Sequence, residues 1–195
     1  MITGGSSGIG LAVAEVYLRL GNNVSLIARD AGKLEAAKQK LSTAPLAENQ
    51  KILCVSADVA IVEEVNDAVS QAVAALGTPE KAIMSAGIVD PGYFSELDLL
   101  QFETNMAVNY FGSLYVAKAL LPHLQAAGKG HLVFISSAAG LMGIFGYSAY
   151  GPTKFAVRGL AEILRMELKS QNIKVSVVYP SDTDTPQYQA EIAIR

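Results

Sequence analysis

The run Thr3-Gly4-Gly5-Ser6-Ser7-Gly8-Ile9-Gly10 decides how this chain folds. Gly4, Gly8 and Gly10 stand in the order GxxxGxG and open an apolar segment of helical period from about Ile9 to Leu20. Glycine reaches positive φ in a tight turn and lets backbone approach a pyrophosphate closely. Free N–H groups and the positive end of the helix dipole then hold the anion. Taken alone, the run reads equally well as a plain glycine turn, so the weight falls on what surrounds it.

Outward from this turn, short β-branched and apolar runs alternate with longer segments of helical period. The strand-like runs are Val24 to Ala28, Ile52 to Ser56, Ala82 to Met84, Leu132 to Ile135 and Val175 to Tyr179. The helical ones are Ile9 to Leu20, Ala31 to Leu41, Val62 to Leu76, Leu99 to Gln125 and Ala149 to Ser170. Such alternation implies βαβ units, and strands apolar throughout imply a sheet covered on both faces. The expected fold is α/β, a Rossmann-type doubly wound parallel sheet with helices on both faces, in a single domain over residues 1–195. A glycine-rich turn of this kind follows a strand, and only Met1-Ile2 precede it here. We therefore expect the native protein to extend beyond both ends of this sequence, with more strand before Met1 and a substrate lid or membrane-attaching segment after Arg195.

Composition narrows the partners. Half of the residues are hydrophobic (51%), enough for a sizeable core, and the net charge of -3 includes no basic run, so no nucleic-acid partner is expected. Cys54, the single cysteine, lies in an apolar run and reads as a buried free thiol. His123 and His131 stand isolated, which gives no metal site. No apolar run reaches the length of about 18 residues needed to span a bilayer.

A second motif carries the chemistry. Of eight tyrosines, Tyr150 alone has a lysine four residues on, Lys154. On a helix these two share a face, so the ammonium is expected to approach the phenol and lower its pKa toward neutrality. Pro152 belongs in a first helical turn, which sets the helix start near Ser148. Ser137 lies thirteen residues before Tyr150, just after a strand, where α/β folds put ligand-contacting loops. At the end of the second strand, Ala28-Arg29 offers a cation and no acid, a pattern suited to a ribose 2′-phosphate and hence to NADPH.

The TGxxxGIG spacing, Ser137 and Tyr150-x-x-x-Lys154 together resemble the short-chain dehydrogenase/reductase family, over nearly the whole chain. The resemblance implies a catalytic tetrad of Asn109, Ser137, Tyr150 and Lys154. Ser137 would hydrogen-bond a carbonyl oxygen, Tyr150 protonate the developing alkoxide, and Lys154 tune Tyr150 and bind the nicotinamide ribose. Asn109 would anchor a water in the proton relay, or else simply cap or kink its helix. The implied cofactor set is Gly4, Ser6, Ser7, Gly8, Ile9 and Gly10, then Arg29, Asp58, Val59, Ala86, Gly87, Pro180, Thr183 and Thr185, with Tyr150 and Lys154. Ser6 and Ser7 also fit as small turn residues, and Asp58 as a helix N-cap. Ser181 replaces the family's usual glycine, and Met84-Ser85-Ala86-Gly87 its common NNAG.

Within the family, Ile135 to Pro186 is most similar to members that reduce long-chain 3-keto sphingoid bases with NADPH at the cytosolic face of the endoplasmic reticulum. The resemblance implies a long-chain lipid ketone substrate, membrane association through segments absent here, and a homodimer paired through the helices around Asn109 and after Tyr150. Leu141-Met142-Gly143-Ile144-Phe145 is an apolar loop suited to an acyl groove or to ordinary packing. The alternatives are a reductase of steroids, retinoids or oxoacyl thioesters, and a non-catalytic NADPH-binding protein.

Overall fold

The computed structural model describes residues 1–43 and 47–192. Along the chain run β1 (Ile2–Thr3), α1 (Gly8–Arg19), β2 (Val24–Ala28), α2 (Ala31–Leu41), β3 (Ile52–Ser56), α3 (Val62–Leu76) and β4 (Lys81–Met84). They are followed by α4 (Leu99–Asn105), α5 (Gly112–Ala127), β5 (Gly130–Ile135), α6 (Gly151–Glu167), β6 (Ile173–Val178) and α7 (Pro186–Ile192). The six strands are all parallel, in the order β3-β2-β1-β4-β5-β6. That is the doubly wound sheet the alternation implies. Of the tail from Pro186 onward, residues 193–195 lie outside the described residues.

Side chains alternate across the sheet with period two, and each parity feeds one core. Ile2, Val24, Leu26 and Ile83 point to the layer where α1 and α2 contribute Ala14, Leu18, Leu34, Ala37 and Leu41. Ile27, Val55, Ala82, Met84, Leu132 and Phe134 point to the opposite layer, filled by Val65 and Val69 of α3, Leu120 and Leu124 of α5, and Val157 of α6. Burial on both faces explains why the strands read as unbroken apolar runs.

β1 is short but central. Ile2 pairs with Leu26 and Ile83, and Thr3 with Ile27 and Met84. The ladder continues past it through the Gly4 N–H to the Ile27 carbonyl at 2.8 Å and the Ile83 N–H to the Met1 carbonyl at 2.9 Å. The chain order reverses at β1 and β4, so the loops at their carboxyl ends flank the crevice where such sheets bind ligands.

Three expectations need correction. The helix after Tyr150 starts at Gly151, not near Ser148, because the Tyr147 carbonyl takes the N–H groups of Tyr150 (3.2 Å) and Gly151 (2.7 Å) in a tight turn. Pro152 still sits in the first helical turn. The long helix from Leu99 is interrupted by a π-helical turn over Met106–Phe111 that contains Asn109, a bulge the periodicity did not disclose. Cys54 is only partly buried, its thiol directed at the Leu34 carbonyl 3.6 Å away.

Candidate active site

Two cavities meet at the carboxyl ends of the strands. One, of about 380 Å³, is lined by Ser6, Ala28, Arg29, Lys33, Val59 and Ala86, among others. The other, of about 210 Å³, holds Ser137, Tyr150, Lys154, Pro180, Thr183 and Thr185. Gly4, Ser7 and Gly87 border both. Together they form one cleft running from the ends of β2 and β3 to the start of α6.

The glycine turn is shaped for this cleft. Gly4 (φ 66°) and Gly8 (φ 51°) adopt left-handed backbone. A Cβ on Gly10 would stand 2.4 Å from the Gly4 carbonyl oxygen, so only glycine lets α1 fold back on the turn. Ser7 is the N-cap of α1, extended and without a side-chain cap bond, which leaves the first-turn N–H groups facing the cleft. Ile9 lines the inner cavity.

At the outer end, Arg29 pairs with Asp58 at 3.6 Å, both partly solvated. Asp58 also accepts the Ala60 N–H at 2.9 Å, so it shapes its own turn. Lys33, in the first turn of α2, brings a second cation to the same cavity. Sequence reasoning passed over Lys33, although its position four residues beyond Arg29 was a readable signal. This donor set fits a phosphorylated dinucleotide: N–H groups and glycines at the centre, two cations at one end, and apolar Ala28, Val59 and Ala86 between.

At the inner end the catalytic candidates converge. Ser137 follows β5 in extended backbone and its Oγ accepts the Ala139 N–H at 3.2 Å. Burial pushes the Tyr150 phenol up from its ordinary pKa, and a side-chain hydrogen bond with Ser137 opposes that shift. Lys154 is buried, and desolvation lowers its ammonium to about 8. Its Nζ lies over the Tyr150 ring and donates to the Ile135 carbonyl at 3.1 Å. The expectation that Lys154 drags Tyr150 toward neutrality is therefore overturned: the cation sits at the ring face, and desolvation dominates.

Asn109 is fully engaged. Its Oδ1 accepts the Ile88 N–H at 2.8 Å, and its Nδ2 donates to the Ile88 carbonyl (3.0 Å) and Thr153 Oγ1 (3.0 Å). These bonds tie the π turn to the loop after β4 and to the start of α6. A Cβ on Gly87 would touch both Asn109 Oδ1 (3.2 Å) and Lys154 Nζ (3.5 Å), so these two polar groups flank the same glycine. On the β6 side, the Pro180 carbonyl accepts the Ala138 N–H at 3.2 Å, Thr183 Oγ1 donates to Ser181, and Thr185 caps the start of α7 by accepting the Tyr188 N–H.

Ile144 and Tyr147 also face a third cavity of about 380 Å³ lined by Gly92, Tyr93, Phe94, Phe145, Pro152 and Phe155. The Gly92–Tyr147 bridge joins its two loops, and Tyr93 meets Phe145 edge to face at 5.6 Å. Of the large apolar side chains in the Leu141-to-Phe145 loop, Phe145 is the most exposed. Tyr93 and Phe94 were invisible to sequence reasoning, because nothing local places residues 92–94 beside residues 143–147.

With a glycine-lined cleft that has serine, tyrosine and lysine at its inner end, the chain belongs to the short chain dehydrogenase family, whose model matches residues 1–193. Among relatives, the 3-dehydrosphinganine reductase of Danio rerio is 42% identical over 192 residues, covering 98% of this chain and 58% of its own length. This chain thus spans little more than half of that relative. Among solved structures, levodione reductase superposes with a TM-score of 0.93 at 26% identity, over 98% of this chain and 74% of its own. An alcohol dehydrogenase from the archaeon Thermococcus sibiricus, complexed with 5-hydroxy-NADP, gives a TM-score of 0.85 at 26% identity, over 94% and 75%.

Proposed function

We propose that the protein reduces a long-chain 3-keto sphingoid base, 3-ketodihydrosphingosine, to the alcohol with NADPH. The observation that carries this reading is continuity: the cavity of Ser137, Tyr150 and Lys154 shares Ile144 and Tyr147 with an apolar groove, so a ketone headgroup and an alkyl tail have adjoining places. Bound in the cleft, NADPH supplies the hydride. Ser137 donates to the carbonyl oxygen and holds it beside Tyr150. Tyr150, kept protonated by its buried setting, delivers its proton to that oxygen as negative charge develops there. Lys154 remains cationic at neutral pH and stabilises the phenolate that is left. Asn109 positions the loop after β4 and the first turn of α6 around Lys154.

Arg29 and Lys33 would take the 2′-phosphate, which favours NADPH over NADH; the name of the 5-hydroxy-NADP complex supports the same cofactor class. Attachment at the cytosolic face of the endoplasmic reticulum suits a bilayer-borne substrate, and the exposed Tyr93, Phe94, Met142 and Phe145 around the groove support it. Exposed Phe111, Ile163 and Met166, on the π turn and α6, support a homodimer through these helices. Among the described residues no helix is long and apolar enough to cross a membrane.

The test is NADPH oxidation with a panel of ketones. Turnover of 3-ketodihydrosphingosine well above that of steroid, retinoid and short β-keto thioester ketones is expected. Faster turnover of any of those others overturns the substrate while leaving the reductase chemistry standing.

A further inference from the structure

Resting on that substrate reading, we infer that Asp90 is a positioning residue for the alkyl tail: its carboxylate, bonded to the buried Asn105 amide, fixes the groove wall at Gly92 and Tyr93 relative to the catalytic candidates.

The segment after β4 is held at every second residue. The Ile88 N–H and carbonyl both bond the Asn109 side chain, at 2.8 and 3.0 Å. Asp90 Oδ2 accepts from Asn105 Nδ2 at 2.6 Å. The Gly92 N–H donates to the Gly146 carbonyl at 2.9 Å, and Gly92 forms the bridge to Tyr147. Between the last two anchors stands Pro91, whose ring fixes its own φ and restricts the residue before it to extended backbone. With so little freedom in between, the anchor on Asp90 sets where Gly92 and Tyr93 stand, and both line the apolar groove.

Asn105 makes that anchor firm. It closes α4, is 0% exposed and stands four residues before Asn109. Its amide has two hydrogens and spends both, one on Asp90 and the other on the Gln101 carbonyl at 2.8 Å. Its Oδ1 meets Asn109 Nδ2 at 3.5 Å, the outer limit of a hydrogen bond, so the two donated bonds carry most of the restraint. Of these, only the bond to Asp90 leaves the helix, and a charged acceptor makes it the shorter and stronger one. Without the carboxylate a buried amide hydrogen has no partner, and either the amide or the loop must shift. The network runs on from Asn105 through Asn109 to Thr153, whose Oγ1 donates to the Tyr150 carbonyl at 2.7 Å. One set of bonds thus holds both the groove wall and the start of α6, and Asp90 acts on the tail through Gly92 and Tyr93.

The experiment measures kcat and KM for 3-ketodihydrosphingosines of increasing chain length in wild type, Asp90→Ala and Asp90→Asn, with NADPH affinity in each. In Asp90→Ala, KM for the long chains should rise about 10-fold, the value of a hydrogen bond to a charged group, while kcat for the shortest ketone and NADPH affinity hold. Asp90→Asn keeps an acceptor oxygen for Asn105 and should recover most of the long-chain KM. A wild-type climb with chain length that Asp90→Ala leaves intact overturns the proposal. So does a loss equal at all chain lengths, which would make Asp90 merely structural, or an Asp90→Asn variant no better than Asp90→Ala. Failure of the substrate reading looks different: the wild-type profile is itself flat, or another class of ketone turns over faster, and this proposal falls with it.

Discussion

Lys154 Nζ lies 5.4 Å from the centre of the Tyr150 ring and spends a hydrogen bond on the Ile135 carbonyl at 3.1 Å. The two catalytic candidates thus share a face through the first turn of α6, with the ammonium against the ring. For a reduction this arrangement suits the direction of proton flow. The phenol stays protonated and ready to donate because desolvation is the larger effect, and a cation at the ring face favours the phenolate left behind without outweighing it.

The depressed pKa of Lys154 gives a stability prediction with a definite sign. Its folded value of about 8 lies below its unfolded value near 10.5, so between these limits the unfolded chain binds more protons. Stability contributed by this group therefore rises with pH across that window, and the burial penalty is full below about 8. Lys154→Met removes the penalty. Relative to wild type, the variant should be more stable at pH 7 than at pH 10 by a difference of about 3 kcal/mol, read by urea unfolding at both pH values. An equal effect at the two pH values would mean that Lys154 titrates normally.

Tyr150→Phe should lower kcat about 1,000-fold while NADPH affinity changes little, because it removes the proton donor and keeps the ring. Steady-state rates and cofactor titration check this together. Retention of a tenth of wild-type kcat would move the proton donor elsewhere, with Tyr147 the next candidate.

Cofactor choice rests on two cations. Arg29→Ala should weaken NADPH about 10-fold and leave NADH nearly unchanged, and adding Lys33→Ala should weaken NADPH about 10-fold again. The Arg29–Asp58 pair, at 3.6 Å, moderates the first effect, since part of the guanidinium charge is already met. Equal losses for NADPH and NADH, measured by fluorescence titration, would make both residues structural.

How far the sequence disclosed this molecule depends on whether the signal is local. The glycine turn, the boundaries of β2, β3, α2 and α3, and the Tyr150–Lys154 spacing all arise from neighbours in the chain, where hydrophobic period and turn chemistry act directly. Register and loop meetings do not. The π turn around Asn109 is held by Ile88 and Thr153, which lie 21 and 44 residues away, and no short-range pattern encodes such a bulge. The same holds for Glu191, which reaches Tyr147 across 44 residues. The rise of the Tyr150 pKa is equally hidden from the sequence, because spacing reports proximity to a charge and says nothing of desolvation.

Asn109→Ala should destabilise the fold by about 3 kcal/mol. It strips hydrogen bonds from the Ile88 N–H, the Ile88 carbonyl and the Thr153 hydroxyl at once, in a site that is 1% exposed. Denaturant unfolding measures the loss. A change below about 0.5 kcal/mol would show that water replaces the side chain and that the π turn holds itself.

The last prediction concerns the apolar groove. If an alkyl tail lies between residues 92–94 and 143–147, kcat/KM for 3-ketodihydrosphingosines should climb with chain length until the groove is filled. Each methylene buried is worth about 0.8 kcal/mol, so two added carbons should raise kcat/KM about 10-fold over the responsive range. Ile144 stands where the groove meets the catalytic cavity, and Phe145 stacks edge to face on Tyr93 at its rim. Ile144→Asp should therefore flatten the profile from its first carbons, while Phe145→Asp should flatten only its long-chain end. The two variants separate depth from rim, which a general loss of folding cannot do. A wild-type profile that is flat from short to long chains would remove the tail from this groove and leave the cleft, the proton donor and the cofactor cations as they stand.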